Sequence, residues 1–119
     1  MKRLFWIALF AASLHAQSTH QVTLRWTASP DSTTAAPGTV TVYRATAACP
    51  ASGIGTLAYS KLTATALAGG PYVDTSVTTG STYCYYVTAT IGGLESNPSN
   101  TFQGQIPTAP PSTLTGSVQ

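Results

Sequence analysis

Val77-Thr78-Thr79-Gly80-Ser81-Thr82-Tyr83-Cys84-Tyr85-Tyr86-Val87-Thr88-Ala89-Thr90-Ile91-Gly92-Gly93 is the stretch that decides the fold. From Ser81 to Ile91 the residues alternate, with Tyr83, Tyr85, Val87 and Ala89 sharing one face. A two-residue period is that of a strand whose one face is buried. Thr79-Gly80 turns the chain into this strand, and Gly92-Gly93 turns it tightly out again. The same period recurs upstream. Gln21 to Thr27 places Val22, Leu24 and Trp26 on one face, and Thr39 to Arg44 places Val40 and Val42 inward. A weaker strand is expected over Leu57 to Leu62, a short one over Tyr72 to Asp74, and a last one from Asn97 to Ile106. Ala28 to Gly38 and Ala45 to Gly55 are rich in small and turn-forming residues and read as loops, while Gly69-Gly70-Pro71 breaks the chain. No helical period occurs after the first residues. Short strands separated by turn signals imply an all-β sandwich or barrel.

The chain begins differently. Met1 to Ala16 reads MKRLFWIALFAASLHA: two cations, an apolar run from Leu4 to Leu14, then small residues. That layout is a secretory signal peptide, and the run is too short for a bilayer, which takes about 20 residues. A buried N-terminal helix is the alternative reading. Residues 1–16 are therefore expected to be a removable leader, 17–106 one domain, and 107–119 a Pro/Thr/Ser-rich C-terminal segment. The product would be secreted, extracellular or periplasmic, with no stable membrane span.

Only 7% of the 119 residues are charged, and the net charge is +2. Lys2 and Arg3 fall in the leader, which leaves Arg25, Arg44 and Lys61 against Asp31, Asp74 and Glu95. A neutral domain has no electrostatic footprint for nucleic acid. Of the two histidines, His15 lies in the leader and His20 remains. Metal sites and His-based triads are hard to build from this set, so neither a catalytic residue, a metal ligand nor a cofactor is expected. Asp74 with His20 and a serine could be drawn as a triad, but no G-x-S-x-G elbow is present. The ordinary role for Asp74 is to cap a turn. Both cysteines, Cys49 and Cys84, lie in the mature part, where an oxidising compartment allows them to pair. The closed loop of about 35 residues would be worth roughly 4 kcal/mol at most.

This pattern resembles a fibronectin type III domain over about Gln21 to Ile106. Val22-x-Leu24-x-Trp26 looks like that family's second strand, Val40-x-Val42-Tyr43-Arg44 like its third, and Glu95-Ser96-Asn97-Pro98-Ser99 like the entry to its last. Val77-x-x-Gly80-x-x-Tyr83-x-Tyr85-x-Val87-x-Ala89 is similar to its most diagnostic motif. The resemblance implies an immunoglobulin-like β-sandwich of fibronectin type III topology, its core built from Val22, Leu24, Trp26, Val40, Val42, Val77, Tyr83, Tyr85, Val87 and Ala89. It also implies that the Tyr83 hydroxyl bonds back to the preceding loop, as in a tyrosine corner. An immunoglobulin domain would place Trp between its cysteines, whereas Trp26 precedes both. On the family's strand arrangement Cys84 points outward beside the end of the third strand, so a Cys49–Cys84 bridge would be a surface staple within one sheet.

The family's first strand, a Pro-rich entry with a buried Leu, is short or missing before Val22. Pro110-Pro111-Ser112-Thr113-Leu114-Thr115-Gly116-Ser117-Val118 looks like that opening. Reading one copy's Gln119 on into another's Gln17 sets Leu114 at the family's spacing ahead of Trp26. Leu114 and Val118 are thus candidate strand-donor residues, and unpaired edges recruit strands. Tyr43, Tyr59 and Tyr86 form a candidate aromatic binding strip, with cross-strand packing as the plainer role. No Arg-Gly-Asp triplet is present. The functions expected are a secreted, non-catalytic adhesion module for a protein or polysaccharide, or an extracellular fibre subunit joining copies of itself by C-terminal strand donation. A small secreted hydrolase or inhibitor is the remote alternative.

Overall fold

A computed structural model describes residues 20–63 and 65–119 of the chain. The leader read at residues 1–16 lies outside the described residues. Seven strands follow in order: β1 (Val22–Leu24), β2 (Thr39–Ala45), β3 (Ser60–Lys61), β4 (Tyr72–Asp74), β5 (Thr82–Ile91), β6 (Leu94–Glu95) and β7 (Phe102–Gln105). The protein is an all-β sandwich. Its smaller sheet pairs β1 with β4, and its larger one runs β3-β2-β5, with β6 and β7 both on the far side of β5. Every pairing is antiparallel.

β5 is the axis of the larger sheet because it alternates longest. It lies against the whole of β2, from Thr39↔Thr90 to Ala45↔Cys84. Its far end turns through Gly92 and Gly93, with φ of 60° and 79°, to pair Ile91 with Leu94. A two-residue hairpin of this hand needs positive φ at both positions, which glycine takes without strain.

Three expected strands come out shorter, each for a local reason. Gln21–Thr27 contracts to Val22–Leu24 because β4 offers only three partners, Val22↔Asp74 to Leu24↔Tyr72. Leu57–Leu62 contracts to Ser60–Lys61, although the Leu62 N–H still reaches the Val42 carbonyl at 2.9 Å. The expected last strand, Asn97 to Ile106, contracts to Phe102–Gln105, and β6 forms ahead of it at Leu94–Glu95; Pro98 between them has no N–H to donate. Between β6 and β7 the Ser96 and Ser99 N–H groups donate to Ala89 O (2.7 Å) and Val87 O (2.9 Å). Their hydroxyls accept from the N–H of Ala89 (2.9 Å) and Val87 (3.0 Å). Serine side chains thus complete a ladder that the backbone cannot.

Val22, Leu24, Val42, Tyr83, Tyr85 and Ile106 form one buried cluster between the sheets, and Trp26, Val77 and Val87 pack half-buried against it. Val40 and Ala89, expected in the core, are only half-buried. They sit at the end of the larger sheet that the three-residue smaller sheet does not reach. Trp26 leans over this end, and a Cβ on Gly70 would stand 2.9 Å from its ring, so only glycine lets the ring approach. After β7 the described chain forms no further strand, and 107–119 is exposed throughout.

Candidate functional site

One consequence of the unequal sheets is a groove. Among the described residues nothing pairs with β1 on the side away from β4. A cleft of about 570 Å³ opens there between the line of β1 and the approach to β7. Leu24 and Trp26 form one wall, Ser99, Asn100 and Phe102 the other, and Tyr85 and Val87 lie at its base. β7 runs opposite to β1 across this gap, since Gly104 lies beside Val22 while Phe102 faces the groove with Leu24 and Trp26. Phe102 shares the inward side of β7 with buried Gly104 and Ile106, yet is 52% exposed. Its ring is 6.4 Å from that of Tyr85, with nothing laid over its other side among the described residues. Among the large apolar residues that line the groove, Phe102 is the most exposed.

The opposite flank of Tyr85 is closed by charge. Asp74 of β4 is 1% exposed and accepts from Arg44 Nη1 at 2.8 Å and from the Tyr85 hydroxyl at 2.7 Å, both on Oδ2. Its Oδ1 accepts from the Ser76 N–H (3.0 Å) and hydroxyl (2.7 Å). Arg44 also donates to the Ser76 hydroxyl at 2.8 Å and lies over the Tyr83 ring, 4.8 Å from its centre. Burial pushes the Asp74 carboxyl up, but the hydrogen bonds from Ser76, Tyr85 and Arg44 outweigh it and hold the group below the usual carboxylate range. Burial, and then the Asp74 carboxylate, push the Tyr85 hydroxyl up. Asp74 comes from the smaller sheet, Arg44 and Tyr85 from the larger, so this node ties the two together. The turn cap foreseen for Asp74 is present as the Ser76 bond, and the clasp is added to it. Arg44 on the inward parity of β2, after Val40 and Val42, was the signal in the sequence that a carboxylate would face it.

Tyr83 is buried, and its hydroxyl accepts the Thr78 N–H at 2.9 Å. Cys49 and Cys84 are disulfide-bonded, their Cα atoms 4.9 Å apart. The staple stays within the larger sheet, because Ala45↔Cys84 brings the end of β2 to the start of β5. One expectation needs correcting. Cys84 does face away from the core, but it is fully buried rather than on the open surface. The loop after β2 folds over it, with the Tyr59 hydroxyl 3.4 Å from its sulfur and 3.0 Å from the Ile54 carbonyl. The Cys49 N–H donates to Gln103 Oε1 at 2.9 Å, which holds the loop to β7.

Tyr43, Tyr59 and Tyr86 do come together on the outer face of the larger sheet. Tyr43 and Tyr86 are cross-strand partners, stacked at 4.7 Å, and Tyr59 meets Tyr86 edge-on at 4.7 Å. The Tyr43 hydroxyl donates to Glu95 Oε1 at 2.6 Å, which raises the phenol and lowers the carboxyl. The stacked and edge-on contacts make these half-buried rings cross-strand packing partners. Leu114 and Val118 are 96% and 100% exposed, the most exposed large apolar residues described. Phe102 was not singled out from sequence, since its exposure depends on what fails to lie over it. No family model matches this chain, and no curated protein is found similar to it.

Proposed function

We propose that this protein is an exported, non-catalytic binding module of fibronectin type III-like build, and that it takes an extended polypeptide strand into the groove beside β1. The half-exposed, inward-facing Phe102 next to the edge of β1 that is unpaired among the described residues carries this reading. A strand laid there would hydrogen-bond to β1 and cover Trp26 and Phe102, which is recognition by β-addition. The fibronectin-like build is supported by the order of pairings and by the Tyr83–Thr78 bond. Export is supported by the paired cysteines, which suit an oxidising compartment. Arg25, Ser99 and Asn100 line the groove beside Leu24, Trp26 and Phe102, and a mixed lining of this kind suits a strand whose polar and apolar residues alternate.

A selection of extended peptides with alternating apolar and polar residues, displayed against the disulfide-bonded protein, tests this reading. Bound strands should shift the Trp26 indole resonance and lose affinity at least tenfold in Phe102→Lys. Strands that bind equally well to Phe102→Lys, or no binders at all, would refute it.

A further inference from the structure

Resting on the strand-binding reading, we propose that the strand filling the groove is 110–118 of a second copy of this chain, so that copies join head to tail. Four observations converge on that occupant. First, Leu114 and Val118 stand bare on a segment that belongs to no strand. Second, their spacing suits a strand. Residues four apart share one face and lie about 13 Å from each other, so Leu114, Gly116 and Val118 can face inward together while Thr115 and Ser117 face water.

Third, charge is absent where it would cost. Pro107 to Gln119 contains no Asp, Glu, Lys or Arg, so the segment brings no charged side chain of its own into a groove lined by Leu24, Trp26, Val87 and Phe102, with Arg25 beside them. An antiparallel strand with Leu114 at the level of Trp26 brings Gly116 level with Leu24 and Val118 level with Val22. Leu114 would then lie against half-buried Trp26 and exposed Phe102, and Val118 would lie alongside Val22.

Fourth, direction separates a second copy's tail from the chain's own. β7 runs opposite to β1, so the tail leaves at the Val22 end of the groove. The Ile106 carbonyl there accepts the Gly80 N–H at 3.0 Å, and Thr108 passes beside Gly80. To enter its own groove the tail would have to reverse and run parallel to β1. A neighbour's tail continues in its own direction and enters at the Trp26 end, antiparallel to β1. Each copy then offers a groove at one side and a strand beyond the other end. This heterologous contact does not close on itself, and it propagates as a fibre.

Two full-chain variants test this in combination. Leu114→Lys with Val118→Lys disables the donor strand, and because both side chains are exposed the monomer should melt as before. Phe102→Lys disables the groove. The unaltered protein should grow with concentration into a ladder of multiples in light scattering. Each variant alone should remain a monomer, and the two mixed should form a one-to-one dimer that grows no further. A synthetic peptide of residues 110–119 should bind the donor-disabled variant and fail to bind Phe102→Lys. If the unaltered protein stays monomeric at millimolar concentration, or forms only a closed dimer, head-to-tail joining is overturned. Selected foreign strands that occupy the groove while the 110–119 peptide does not would overturn the self-donation and leave strand binding intact. If neither occupies it, the strand-binding reading falls as well.

Discussion

Tyr85 has two sides, and they are finished differently. Its hydroxyl enters a closed polar node, where Asp74, Arg44 and Ser76 satisfy one another across the two sheets. Its ring is the floor of a groove whose far wall, Phe102, is half exposed. The difference follows the strands available. At the node, β4 of the smaller sheet lies opposite β2 and β5, so a buried carboxylate can find three donors and a cation. At the groove the smaller sheet has no strand beyond β1 among the described residues, and Phe102, on the inward side of β7, meets solvent while Trp26 is half-buried. Among the described residues the sandwich is clasped by polar groups where both layers are present, and leaves Phe102 half exposed where the smaller sheet ends at β1.

The sharpest way to break this contrast is at the node. Asp74→Ala leaves Arg44 and the Tyr85 hydroxyl without their acceptor, and removing one partner of a buried pair costs about 3–5 kcal/mol. Denaturant unfolding should show a loss of that size, and a loss below 1 kcal/mol would mean the sheets are not clasped there. The same carboxylate sets a pH dependence. Its folded pKa lies below the ordinary value, so its contribution is fully present above the unfolded pKa of about 3.9 and is lost as pH falls through the folded value. Unfolding curves should weaken in that acid range, and Asp74→Asn should flatten the change.

A smaller effect is expected at Tyr83. Tyr83→Phe strands the Thr78 N–H that its hydroxyl accepts, and should cost about 1 kcal/mol or somewhat more. A change near zero would separate the Tyr83 corner from the well-closed part of the molecule. The smallest effect belongs to the open side. Phe102→Ser should alter the monomer's stability by less than about 0.5 kcal/mol, as for an exposed position, while abolishing strand binding. A loss comparable to that of Asp74→Ala would show that Phe102 is core and the groove no site.

Legibility in the sequence followed the range of the interactions. The alternation of Tyr83, Tyr85 and Val87 and the Gly92-Gly93 turn are local signals, and β5 and its hairpin stand where they point. The Cys49–Cys84 bridge could be expected because only two cysteines are present, yet the burial of Cys84 under the Tyr59 loop could not, since an irregular loop has no period to read. Val40 and Ala89 share the parity of the core and miss it because the opposite sheet stops short. Ser96 and Ser99 look like loop residues and act as ladder partners through their hydroxyls. Asp74 is legible as a turn cap, two residues from Ser76. Its clasp joins Arg44, thirty residues away, and depends on how the sheets face each other. Phe102 was the hardest to foresee, because its significance lies in an uncovered side that only the packing defines.

Amide hydrogen exchange along Val22 to Trp26, with and without a bound extended strand, tests the account most directly. The account predicts that alternate amides facing away from β4 exchange freely in the monomer and become protected when the strand binds, together with a change at Phe102. Protection already present in the free monomer, or protection appearing only around Tyr43, Tyr59 and Tyr86, would contradict it.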